Sequence, residues 1–165
     1  MQYHLVDRII RIEPGRRIVT VKALSLAEEY LADHFPAFPV LPGVLMVEAL
    51  VQSAAWLVRC AQDWARSIIV LGVARNVRYA NFVQPGRVLE CDVQARSIEA
   101  DAAQVQATGT VDGATAVSGR LELRCFNLAE RAGTPTDADQ RILADLRKRF
   151  ELIGGPAALA AAASA

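Results

Sequence analysis

From Gly43 to Val58 the only polar side chains are Glu48, Gln52 and Ser53. Apolar character on nearly every side predicts a helix buried in protein, over residues 42–65. The flanking segments follow a different rhythm. Residues 3–12 and 17–24 are rich in Val, Ile and Leu and are separated by Pro14-Gly15, which predicts a strand pair around a turn. After the helix, strand-like runs cover residues 67–73, 77–82, 87–98, 104–111 and 114–126. Pro85-Gly86 marks one turn. Asp112-Gly113, between two such runs, is a strong type I′ hairpin signal. The pattern therefore predicts an α+β domain: one apolar helix and five to seven mostly antiparallel strands, with the sheet covering the helix.

Residues 127–139 are polar and read as a linker. Over residues 137–153, Ile142, Leu143, Leu146, Phe150 and Ile153 recur at spacings of three and four, which predicts an amphipathic helix with Asp137 or Asp139 as N-cap. Gly154-Gly155-Pro156 would stop it, leaving an Ala-rich tail of low complexity. The expected organisation is one domain over residues 1–126, a linker and helix over 127–153, and a flexible tail over 154–165.

The central apolar run invites a membrane reading. A helix from Gly43 to Val58 reaches about 24 Å, short of the roughly 30 Å hydrocarbon core. Glu48 at its middle would cost about 2.5–3.5 kcal/mol there. A buried core helix is the better reading, with no membrane span. The N-terminus carries scattered charges and no apolar h-region, so no signal peptide is expected.

Charge and cysteine count narrow the class. Lys+Arg and Asp+Glu both total 18. A nucleic-acid binder would show a basic excess, whereas zero net charge removes a brake on self-association. Cys60, Cys91 and Cys125 are too scattered for a disulfide framework or a zinc site. No metal site is expected, and a reducing cytoplasm fits.

Two polar residues in apolar company carry candidate chemistry. His34 opens a stretch held stiff by Pro36, Pro39 and Pro42, and Glu48 follows within the helix. Histidine is a natural base near neutral pH, and a carboxyl among apolar neighbours tends to keep its proton. Helix-start N–H groups lack internal partners and can stabilise an oxyanion, and Gly43 stands there without a side chain to block approach. The same residues are open to a blander account, a loop histidine and a helix glutamate paired with an arginine. The only other histidine, His4, reads as a surface or core-edge residue.

The run His34-Phe35-Pro36-x-x-Pro39-x-x-Pro42-Gly43-Val44-Leu45, followed by Glu48-Ala49-Leu50-x-Gln52, resembles the signature of the FabZ-type bacterial 3-hydroxyacyl-(acyl-carrier-protein) dehydratases. Leu5-Val6-Asp7-Arg8, Ile12-Glu13-Pro14-Gly15-Arg16, Arg78-Tyr79 and Pro85-Gly86 extend the likeness over residues 3–126. The resemblance implies a hotdog fold, a homodimer whose sheets join, often assembled into a hexamer, and an active site at the dimer interface. It implies dehydration of a 3-hydroxyacyl group carried on the 4′-phosphopantetheine of an acyl carrier protein, in fatty-acid or related lipid synthesis, without metal or organic cofactor. By position, His34 would be the base at C2, Glu48 the acid at the leaving hydroxyl and Gly43 the donor to the thioester carbonyl. Phe35, Pro36, Phe38 and Pro42 would line the substrate path, and Gln52 would orient Glu48. The alternatives are another hotdog thioester enzyme, such as a coenzyme A hydratase or thioesterase, and a non-catalytic acyl-binding partner subunit.

Three departures stand out. Ala37 replaces the usual glycine, and an alanine there is strained if its φ is positive. Phe38 is bulky and would narrow or redirect the acyl path. Ala80-Asn81-Phe82 stands where that family tends to carry Lys-Arg-Pro, so two positive charges are missing where an acidic carrier would dock. Arg75, Arg78 and Arg87 are the candidates to compensate.

Overall fold

The computed structural model describes residues 3–130 and 137–163. Strands β1 (Arg8–Glu13) and β2 (Arg17–Ala23) form the first hairpin. Helix α1 spans Gly43–Ala61. Strands β3 (Ile68–Tyr79), β4 (Val88–Ile98), β5 (Ala102–Val111) and β6 (Ala114–Phe126) follow, then helices α2 (Ala138–Leu152) and α3 (Gly155–Ala163). The strands form one antiparallel sheet in the order β1-β2-β4-β5-β6-β3.

The sheet curls around α1, which packs on β2, β3, β4, β5 and β6. Period-two alternation sets the inner face: Leu89, Cys91 and Val93 on β4, Ala103, Val105 and Ala107 on β5, and Leu121, Leu123 and Cys125 on β6 are all buried. They meet Met46, Ala49, Leu50, Ala54, Leu57 and Val58 of α1. Ser53, on the same buried face, donates to the Ala49 carbonyl at 2.7 Å and shares a 2.7 Å hydrogen bond with Thr20 of β2, so a polar tie sits inside the apolar core. A long helix wrapped by an antiparallel sheet is the hotdog arrangement. By length and composition α1 could cross a membrane, but it serves as the core helix, with two-thirds of its apolar window buried.

The Asp112-Gly113 hairpin forms as expected. Both residues have positive φ (52° and 80°), as a type I′ turn requires, and Val111 pairs with Ala114. Two expectations need correcting. Residues 67–73 and 77–82 are one strand: β3 runs through, with register shifts between Leu71 and Val73 and between Arg75 and Arg78, and Asn76 at φ 53°. Such bulges break the alternation that makes a strand legible while keeping it paired. The Ala-rich end is helical over Gly155–Ala163, because alanine is the best helix former and Ala158 buries against the body of the domain. The linker's residues 131–136 and the last two of the tail lie outside the described residues.

The two sheet edges differ. Ile9 of β1 donates its N–H to the Ile153 carbonyl at 2.8 Å, and α3 packs along β1, so this edge is covered. On the opposite edge β3 leaves Val70, Leu71 and Val73 at 37–43% exposure. Helix α2 docks on the far end of α1 through Phe150, whose ring lies 5.7 Å from Trp56 and 5.4 Å from Trp64. Asp137 stands at the N-cap without a capping bond. Asp139 works outward instead, accepting from Ser67 Oγ and from the N–H groups of Leu128 and Ala129.

Candidate active site

The loop between β2 and α1 is anchored at both ends. At the start, Lys22 is buried and its ammonium reaches Glu28 at 2.6 Å and Asp7 at 3.5 Å. At the end, Leu41 donates to the Val83 carbonyl at 2.9 Å. Between them Pro36 and Ala37 occupy the centre of a turn closed by the Phe38 N–H on the Phe35 carbonyl at 2.8 Å. Proline suits the first central position because its φ is already set. The left-handed residue of this loop is Phe35, at φ 51°, and Ala37 stays on the negative side. The methyl that distinguishes Ala37 from glycine therefore meets no backbone penalty.

This turn carries His34 and Phe35 to a cavity of about 280 Å³, where they meet Met46, Tyr79, Phe82 and the first residue of α1, Gly43. The His34 and Phe35 rings lie edge to face at 4.5 Å. Pro42, buried, is the N-cap of α1, and Gly43 opens the helix. A Cβ at Gly43 would stand 2.9 Å from Cε1 of Tyr79. The glycine thus lets the Tyr79 ring close over the helix start while the first N–H groups of α1 keep their positive, unpaired character beside His34. Asn81 braces this wall by donating to the Thr115 carbonyl at 2.7 Å. Phe38 packs edge to face on Phe82 at 5.6 Å, and both rings are exposed, as is Pro36.

Glu48 lies elsewhere. It lines a second cavity, of about 180 Å³, on another face of α1, with Gln52, Trp56, Arg59, Leu146 and Arg149. Gln52, one turn on from Glu48, donates to its Oε1 at 3.0 Å and to the Tyr3 carbonyl at 2.9 Å, and accepts the Leu5 N–H at 2.9 Å. The glutamate is half-buried and held from below. The structure therefore gathers His34, Phe35 and Gly43 in one cavity, and Glu48 with Gln52 in another.

Several wall residues were not assigned to the site from the sequence, although Tyr79, Asn81 and Phe82 were noted there for other reasons. Tyr79, Asn81 and Phe82 reach the His34 cavity from β3 and just beyond it. Trp56 and Arg59 lie eight and eleven positions beyond Glu48, a helical spacing that was there to be read. Arg149 comes from α2, and no local pattern connects it to Glu48. His4 also lines the Glu48 cavity, and burial and the nearby Arg149 charge lower its pKa. Of the three arginines expected to offset the missing charges, Arg75 pairs with Glu122 and Arg87 with Asp112, both at 2.7 Å, while Arg78 is exposed.

Residues 1–120 match the family model of the FabA-like domain. The chain is 34% identical over 118 residues to the 3-hydroxyacyl-(acyl-carrier-protein) dehydratase FabZ of Ruminiclostridium cellulolyticum, covering 72% of this chain and 83% of the relative. It is 36% identical over 137 residues to FabZ of Solibacter usitatus, covering 82% of each. Among solved structures, the dehydratase heterocomplex ApeI:P from Xenorhabdus doucetiae superposes with a TM-score of 0.64 at 20% identity, over 77% of this chain and 86% of that one. The E. coli PaaI protein, from the phenylacetic acid degradation operon, gives 0.54 at 12% identity, over 71% and 81%. At these identities the structural likeness speaks for the hotdog fold alone.

Proposed function

Because the chain belongs to the FabA-like family, we propose that it dehydrates (3R)-3-hydroxyacyl thioesters of acyl carrier protein to trans-2-enoyl thioesters, in fatty-acid or related lipid synthesis. The observation that carries this reading is the division of the site. His34 and the helix start at Gly43 line one cavity, Glu48 with Gln52 lines another, and the β3 edge is open. Two copies joined along β3 would bring His34 of one to Glu48 of the other. Such a dimer is the unit of function in this reading, and the apolar exposure of Val70 and Val73 supports it.

In that site each group has one task. His34 takes the C2 proton. Charge developing on the thioester oxygen meets the Gly43 N–H and the positive end of α1. The C2–H electron pair becomes the new double bond, the C3–O bond breaks, and Glu48 gives its proton to the departing hydroxyl, which leaves as water. A proton passing from His34 to Glu48 through solvent resets the pair. The reaction is redox-neutral, so acid–base groups suffice. Phe35, Pro36, Phe38 and Pro42 border the path of the pantetheine arm and acyl chain, and Arg78, near the end of β3, is the one of the three arginines without an ion pair among the described residues and so the candidate to meet an acidic carrier.

The replacement of Lys-Arg-Pro by Ala80-Asn81-Phe82 favours a second reading, action on coenzyme A thioesters. One assay separates the two. Purified protein is given 3-hydroxyacyl groups on carrier protein and on coenzyme A, and enoyl formation is followed. Faster turnover on carrier protein, abolished in His34→Ala and Glu48→Gln, is the expected result. No dehydration on either carrier would remove the proposal.

A further inference from the structure

The Glu48 cavity contains more charge than the acid step uses. Arg59 is only 8% exposed, yet its Nε has no hydrogen-bond partner among the described residues. Its Nη2 donates to the Ser67 carbonyl at 3.3 Å, and its guanidinium lies 5.4 Å from the Trp56 ring centre. Neither contact supplies a counter-charge, and burial pulls the Arg59 pKa down to about 10. Arg149, contributed by α2, lines the same cavity and forms no ion pair among the described residues, and His4 stands at its rim. Among the described residues the only carboxylate lining the cavity is Glu48, which Gln52 holds. Buried cations without an anion are costly and are retained where something fills the gap.

We infer that this cavity receives the far end of the acyl chain and that Arg59 and Arg149 select a chain ending in a carboxylate. The inference rests on the dehydratase reading, since it takes Glu48 as the point where C3 sits. The geometry suits it. Glu48, Gln52, Trp56 and Arg59 share one face of α1, and the axial rise from Glu48 to Arg59 is roughly 16 Å at the backbone, at most about thirteen carbon–carbon bonds of extended chain. Helical side chains lean toward the N-terminus, which brings the guanidinium back toward Glu48. Leu146 on α2 adds an apolar wall, and Phe150, packed on Trp56, fixes α2 there. Helix α2 lies beyond the residues matched by the family model.

The test compares 3-hydroxydodecanoyl and 3-hydroxydodecanedioyl thioesters, of equal length but ending in methyl and carboxylate. The expected kcat/KM favours the carboxylate end at least about tenfold, and Arg59→Met and Arg149→Met each shrink that ratio. Circular-dichroism melting confirms that the variants fold, and the half-exposed Arg149 provides a test should Arg59→Met not. A second readout needs no turnover: suberate, but not the uncharged 1-octanol, should perturb tryptophan fluorescence, and less so in Arg149→Met. Dehydration of both substrates with equal or reversed preference overturns the inference and leaves the dehydratase reading intact. Suberate binding that depends on the arginines, without dehydration of either substrate, removes the dehydratase reading and keeps the anion site. Neither turnover nor suberate binding overturns both.

Discussion

Gln52 donates from Nε2 to Glu48 Oε1 at 3.0 Å while the same amide holds the backbone of Tyr3 and Leu5. The orientation is forced, because Oε1 must face the Leu5 N–H. One side chain therefore joins the N-terminal segment, helix α1 and the candidate acid. Gln52→Leu keeps the volume and removes all three bonds. Misplacing the carboxyl should lower kcat by about 10- to 100-fold with little change in KM. Leaving the two backbone groups unpaired should cost about 1–3 kcal/mol in urea unfolding. Unchanged kcat in a destabilised variant would make Gln52 purely a structural tie.

Gly43 faces the Tyr79 ring as well as the place proposed for the thioester oxygen. An added methyl would press on Cε1 of Tyr79 at 2.9 Å, but that ring is 54% exposed and can swing outward. Gly43→Ala should therefore fold with a melting temperature within about 4 °C of the parent. The displaced ring reshapes the His34 cavity and the methyl crowds the helix-start N–H groups, so kcat/KM should fall by about tenfold or more. Adding Tyr79→Ala relieves the steric part alone. Full recovery in the double variant would show that the N–H groups are not obstructed.

The site was legible where its signal is local. The proline-spaced loop, the buried helix and the i, i+4 pair of Glu48 and Gln52 all follow from short-range pattern. So does the Asp112-Gly113 hairpin. Tertiary choices were not legible. Strand β3 read as two pieces because Gly72 and Asn76 sit at its register shifts. Its place at the sheet edge depends on strand order, which no segment encodes alone. The Ala-rich end has strong helix propensity, but its low complexity suggested a tail, and only docking on β1 gives it a fixed position. Arg149 joins Glu48 through Phe150 packing on Trp56, a contact between residues far apart in sequence.

Asp139 gives stability a pH dependence. Its carboxylate accepts from Ser67 Oγ, Leu128 N–H and Ala129 N–H, and the Ser67 bond is the main cause of a pKa held below the ordinary 3.8. A depressed folded-state pKa means that the contribution is complete above the unfolded value and is lost as pH falls through the folded one. Asp139→Asn should melt earlier than the parent at pH 7, with the gap closing from about pH 4 downward. Thermal melts at pH 7, 4 and 2.5 check this. A gap that stays constant across the series would assign the loss to geometry and not to charge.

The division of His34 and Glu48 between two cavities makes a prediction that separates one-chain from two-chain catalysis. His34→Ala and Glu48→Gln are each expected to be inactive. Mixed by co-expression, they form a heterodimer in which one site takes His34 from the Glu48→Gln chain and Glu48 from the His34→Ala chain, and is intact. The other site collects both defects. Random pairing makes half the dimers mixed, each with one working site, so about a quarter of wild-type activity should return. If each chain built its own site, every site in the mixture would have one defect and no activity would return. Resolving the mixed dimer by two affinity tags sharpens the measurement, since the pure heterodimer should reach about half of wild-type turnover. A pure heterodimer without activity would place His34 and Glu48 in separate roles and end the case for a shared site.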